Sequence, residues 1–195
     1  MSDFTLQFER RYSMAHRLLS GAAPRCSVPH GHNEVVVVDI VADTERPLDT
    51  DTNMLAEFGA VKKRWFNWID KHVDHSFQIS DTDPLIDYFR EHEPHRMARL
   101  LITPGDPTTE IRAACYAAKL NVFLSGQGLV CNRLTIQETP TNSVVFTGDP
   151  AQVLPSGDYW WWCCDDAIND FGRHTSDLKG PSPVLQGSKA SCYTE

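Results

Sequence analysis

No apolar run in this chain approaches the ~20 residues that cross a bilayer, so no membrane partner is expected. Basic charge is scarce too: 18 lysines and arginines stand against 26 acidic residues, for a net charge of −8. A nucleic-acid partner needs a basic face for the phosphate backbone, and none is expected. The first residues, Met1-Ser2-Asp3-Phe4, lack the basic and apolar regions of a secretory leader. Six cysteines are scattered without the framework of a small disulfide-stapled domain, which points to a reducing, cytoplasmic setting. Period counting finds no internal repeat.

What is present suffices for one sizeable core: 195 residues, 41% apolar and 23% charged. Residues 4–9 alternate, with Phe4, Leu6 and Phe8 on one face, as in a half-buried strand. Residues 35–41 are nearly all β-branched and read as a strand covered on both sides. Leu55, Phe58, Val61, Trp65, Trp68, Ile69 and His72 fall on one helical stripe. A charged stretch, 80–99, reads as a long loop holding one short helix. A second helix is predicted from Pro107 with Asp106 as its cap, facing inward through Ile111, Ala114, Cys115, Ala118 and Val122. Strands over 129–138 and 142–147 complete the order strand–strand–helix–helix–strand–strand. That order predicts an α+β fold, an antiparallel sheet packed on helices. Residues 1–150 are expected to form the domain, and 151–195 an extension that is partly disordered, above all after Gly180, or docked through Trp160, Trp161 and Trp162.

The strongest local signal is Cys26-Ser27-Val28-Pro29-His30-Gly31-His32-Asn33. In an extended segment His30 and His32 point the same way, with Gly31 leaving room for an ion between them. His16, on the preceding segment, reaches the same point if the two pair as a hairpin. Three imidazoles with an open position match catalytic zinc, whereas structural sites close with four protein ligands. Against this stands a bland reading, histidines in a surface loop. Cys26 has three candidate roles: fourth ligand, base or nucleophile, or inert small hydrophobe. The open-site argument favours the base, since a metal and basic side chains favour a thiolate. Asp74-His75 pairs an acid with an imidazole, as in a proton relay, or places a histidine at a helix C-terminus. Glu138 shares a strand face with Leu134 and Ile136, so it needs a strong partner, either a donor–donor ligand edge or an arginine. Glu110, after Pro107-Thr108-Thr109, serves as a first-turn acid or as pocket lining. Arg10, Arg11, Arg17 and Arg25 flank the histidines and are candidates for an anion.

Taken together, Ala15-His16-Arg17-Leu18, Cys26 with His30-Gly31-His32-Asn33, Asp74-His75, Pro107-Thr108-Thr109-Glu110 and Glu138-Thr139 before Asn142-Ser143-Val144-Val145-Phe146 resemble the 6-pyruvoyl-tetrahydropterin synthase / 6-carboxytetrahydropterin synthase family. The resemblance runs in order over roughly residues 4–147. It implies the tunnelling fold: a four-stranded antiparallel sheet with two helices on one face, joined edge to edge into trimeric barrels that stack as homohexamers with active sites between subunits. It implies Zn2+ on His16, His30 and His32, a proton-shuttling set of Cys26, Asp74 and His75, and a pterin ring anchored by Glu138 with Thr108, Thr109 and Glu110 nearby.

The implied substrate is 7,8-dihydroneopterin triphosphate. Three residues separate Cys26 from His30, which resembles the branch that forms 6-carboxytetrahydropterin, acetaldehyde and triphosphate for 7-deazaguanine and queuosine synthesis. The other outcomes are 6-pyruvoyl-tetrahydropterin synthesis by triphosphate elimination, a GTP-cyclohydrolase-like activity, and a non-catalytic zinc- or pterin-binding protein. The length of 80–99 and the tail beyond Pro150 depart from the pattern.

Overall fold

The computed structural model describes residues 4–20, 23–45, 47–157 and 160–164. The disorder expected after Gly180 lies outside them. Six strands form one sheet in the order β4-β3-β1-β2-β5-β6. β1 (Leu6–His16) and β2 (His30–Ala42) form a long antiparallel hairpin in which His16 pairs with His30. β5 (Leu129–Thr139) pairs antiparallel with β2, and β6 (Asn142–Phe146) closes that side.

These four are the antiparallel strands expected from the sequence. The expectation of a four-stranded, wholly antiparallel sheet is corrected by two short additions. β3 (Ser76–Ser80) lies parallel to β1 along Met14–His16, and β4 (Leu100–Thr103) lies parallel to β3. The segment between them holds α2 (Leu85–His92) and a 3-10 turn, Pro94–Arg99. Strands of four or five residues, buried at nearly every position, carry no alternation for a period count to find.

Alternation decides which face of β1 and β2 is inward. Leu6, Phe8, Tyr12, Met14 and His16 of β1, and Glu34, Val36, Val38 and Ile40 of β2, are buried. Phe4 is exposed and lies before the strand. Val35, Val37 and Val41 are only half-buried, so the second face of β2 is not fully covered within one chain. Gly31 has a different task from the one expected. A Cβ there would lie 2.8 Å from the Met14 carbonyl oxygen, so the glycine permits close approach of β1 and does not make room for an ion.

α1 (Phe58–Trp68) starts at Glu57, whose carboxylate accepts from the Gly59 and Ala60 amides. It presents Val61, Trp65 and Trp68 to the core, while Phe58 is exposed. One π-helical turn, Ile69–Val73, then rotates the chain into Asp74. α3 (Thr109–Leu124) is buried at every position from Arg112 to Leu120. Its cap is Thr108, not Asp106. Asp106 instead accepts from the Leu19 and Ser20 amides, at 2.9 and 2.6 Å, and ties down the loop after β1.

Trp160, Trp161 and Trp162 are buried. Trp161 stacks on Trp68 with centroids 5.4 Å apart, and its indole N–H donates to the Ile102 carbonyl at 2.7 Å. That bond satisfies a backbone acceptor on β4, the end strand of the sheet. Buried Lys119 donates to the carbonyls of Trp161 and Cys164.

Candidate metal centre

The end of the β1–β2 hairpin places three imidazoles on the helix side of the sheet. Even-numbered residues of both strands face inward, so His16, His30 and His32 converge there. Their ligating nitrogens all lie within 4.8 Å of one another, and among the described residues no other His, Cys, Asp or Glu joins them as a group.

Hydrogen bonds fix which nitrogen of two rings faces the centre. His16 Nδ1 lies 3.1 Å from the Pro107 carbonyl and His30 Nδ1 lies 2.9 Å from the Val28 carbonyl. A carbonyl only accepts, so both Nδ1 atoms carry a proton, and in the neutral rings that a metal would require both Nε2 atoms present lone pairs. Those two Nε2 atoms are 3.1 Å apart. Two facing lone pairs repel unless a cation or a proton lies between them. Burial, then the nearby Arg112 guanidinium, lowers the His16 pKa to about 4, so the ring is neutral at pH 7. Neutral, pre-oriented imidazoles backed by carbonyl acceptors are what a divalent metal of the zinc type requires.

A cavity of about 340 Å³ opens beside this group, lined by His16, Leu18, Thr108, Thr109, Glu110 and Glu138, with β6 residues at its rim. The four residues assigned to substrate on sequence grounds therefore share one cavity with His16. Glu138 Oε1 accepts from the Thr109 hydroxyl at 2.7 Å and lies 3.4 Å from Arg112 Nη2. No donor among the described residues bonds to Oε2. Burial alone would raise the Glu138 pKa, but the Thr109 hydroxyl and Arg112 outweigh it and lower the value. A carboxylate held ionised, with one oxygen open to a cavity, suits a ligand edge bearing two N–H donors.

Sequence reasoning missed the pair beneath it. Arg112 donates to both oxygens of Glu34, at 2.7 and 2.9 Å, and to the Thr109 hydroxyl at 3.0 Å. Both side chains of that pair are fully buried. The signal was available, because Glu34 follows His30 and His32 on the inward face and needs a partner by the argument applied to Glu138.

The proposed proton-shuttling residues divide. Cys26 is half-buried in the hairpin loop, on a 3-10 turn whose end is tied back by a 2.8 Å bond from the Leu18 amide to the Cys26 carbonyl. Asp74 and His75 are bonded at 2.8 Å, and Asp74 also accepts from the Ser13 amide at 2.8 Å. His75 adopts φ +60°, uncommon for a side-chain-bearing residue. Its imidazole is 77% exposed and borders a second cavity with Ser13 and Ala15, which alternate with the inward-facing residues of β1. That cavity shares no lining residue with the one beside the histidines. The early arginines expected near an anion are largely committed: Arg10 to Asp70 at 2.6 Å and Arg17 to Asp83, whose carboxylate is fully buried.

An α+β protein of the tunnelling fold, with three convergent imidazoles beside a carboxylate-anchored cavity, is the class these features define. The chain belongs to the 6-pyruvoyl tetrahydropterin synthase family, whose model matches residues 5–149. It is 32% identical over 130 residues to a probable 6-carboxy-5,6,7,8-tetrahydropterin synthase of Halobacterium salinarum, covering 67% of this chain and 77% of that relative. An uncharacterised protein of Wolinella succinogenes has a similar structure, with a TM-score of 0.61 at 19% identity, over 75% of this chain and 98% of that one. The 6-pyruvoyl tetrahydropterin synthase of Caenorhabditis elegans gives a TM-score of 0.51 at 24% identity, over 75% of this chain and 96% of that one. No helix among the described residues is long and apolar enough to cross a membrane.

Proposed function

We propose that this chain is a zinc-dependent 6-carboxy-5,6,7,8-tetrahydropterin synthase acting on 7,8-dihydroneopterin triphosphate and releasing acetaldehyde and triphosphate. The observation that carries the reading is the shared cavity, which His16 and Glu138 line together. The Halobacterium relative's name and the three residues between Cys26 and His30 favour the carboxy product over the pyruvoyl one.

His16, His30 and His32 hold the metal, and zinc there supplies Lewis acidity to the hydroxyls of the substrate side chain. Glu138 accepts from the amino-pyrimidine edge of the pterin, held in place by Thr109. Thr108 caps α3, and Glu110 stands at the cavity edge. Cys26 as thiolate takes a proton from the side chain. His75, oriented through Nδ1 by Asp74, moves another through Nε2.

His75 faces the other side of the sheet within one chain, so this reading requires a neighbouring copy to bring its Asp74-His75 pair to the cavity. Two open stretches of backbone support that assembly. β6 ends the sheet, and β1 is paired on its outer side only along Met14–His16. Edge-to-edge joining into trimers, stacked as homohexamers, would cover both.

The test incubates zinc-loaded protein with 7,8-dihydroneopterin triphosphate and identifies products by mass. 6-Carboxytetrahydropterin with acetaldehyde is the expected result. The 6-pyruvoyl product alone would assign the other branch. Absence of turnover by a metal-replete oligomer would leave a zinc- or pterin-binding protein.

A further inference from the structure

The cavity bordered by His75 has a volume of about 470 Å³ and a lining unlike that of its neighbour. Phe77 and Phe89 stand edge-to-face, 6.4 Å between centroids, and Arg96 and Arg99 border it with His75. Among the described residues no Asp or Glu lines it, in a protein of net charge −8. Among the described residues each guanidinium is anchored by one nitrogen only. Arg96 Nε lies 2.6 Å from Glu93, and Arg99 Nη1 donates to the Lys71 carbonyl at 3.2 Å. Arg99 has no carboxylate partner among the described residues.

Cationic side chains of several elements lie around the turn before β3. His72 lies nearby on the π-helical turn, and its pKa is lowered to about 4 by burial, then by Lys71, Lys119 and Arg99. His75 is held from behind by Asp74, 2.8 Å from its Nδ1, which fixes the orientation of the ring. The arginines belong to the segment after α2 that sequence reading treated as a loop. Two guanidiniums with free N–H groups and an imidazole, their acidic partners set outside the described lining, form a recognition geometry for phosphoryl oxygens.

We propose that Arg96, Arg99 and His75 form a subsite for a polyphosphate or phosphate-ester group. That its natural occupant is the triphosphate tail of a pterin rests on the function proposed above; the anion chemistry does not. With two cationic partners removed, charge-assisted contacts account for at least a tenfold loss of affinity.

The experiment titrates inorganic triphosphate into the metal-loaded protein by calorimetry. Wild type is expected to bind, and R96Q/R99Q to bind at least tenfold more weakly while retaining its zinc. K62Q/K63Q, which removes equal charge from α1, should match wild type. H32A, disabled at the metal centre, should still bind. Binding that survives in R96Q/R99Q, or that vanishes in H32A because the metal held the anion, overturns the proposal. If R96Q/R99Q loses triphosphate binding while no pterin turns over in wild type, the subsite stands and the proposed function fails. If turnover occurs and R96Q/R99Q leaves KM unchanged, the proposed function stands and the assignment of the pterin's triphosphate tail to this subsite is overturned.

Discussion

Arg112→Met is expected to lower stability by about 3–5 kcal/mol, because it leaves a buried carboxylate without its counter-charge. Arg112 and Glu34 are both fully buried and joined through two nitrogens and two oxygens, so removing one strands the other. The loss reaches the ligand cavity as well, since Arg112 also donates to Thr109, whose hydroxyl holds Glu138. Urea unfolding should show the reduced midpoint, and the double variant R112M/E34L should recover most of it, as apolar pairs often replace buried ion pairs at little cost. Pterin affinity should remain low in the double variant, because Glu138 has still lost its neighbour. A single variant as stable as wild type would show that water reaches Glu34.

Cys26→Ala is expected to reduce turnover about 10²–10⁴-fold, the range of a removed general base, while keeping its zinc. The geometry separates these readouts. The group that could hold a metal consists of three histidines and, among the described residues, does not include Cys26. The loop that carries Cys26 is tied at Leu18 by backbone atoms, so alanine should not disturb it. Steady-state rates and metal content measured on the same preparation decide the point. Loss of zinc along with activity would make Cys26 a ligand and close the site.

Much of the fold was legible because its main elements repeat cleanly. β1, β2, β5 and β6 announce themselves by alternation or β-branched runs, and α1 by its tryptophan stripe. The convergence of the three histidines was legible for the same reason: a period of two puts His30 and His32 on one face, and the hairpin register delivers His16 opposite His30. β3 and β4 were not legible, being too short and too fully buried to show a period. Arg112 was hidden because α3 is buried on all sides at that level, and the one-face stripe of Ile111, Ala114, Cys115, Ala118 and Val122 leaves it out. Its partner Glu34 is 78 residues away, a pairing that no local rule supplies. The tryptophans of residues 160–162 were noticed, but only the fold shows that Trp161 satisfies a carbonyl on the sheet's end strand.

The central claim is a metal held by three imidazoles, and the zinc content of exhaustively dialysed protein tests it most directly. Wild type should retain about one zinc per chain, as a three-histidine site does, and His32→Ala should retain almost none with its fold intact. His32 suits the test because it is only half-buried. Wild-type protein that holds no zinc, or a His32→Ala variant that holds as much as wild type, would contradict the account.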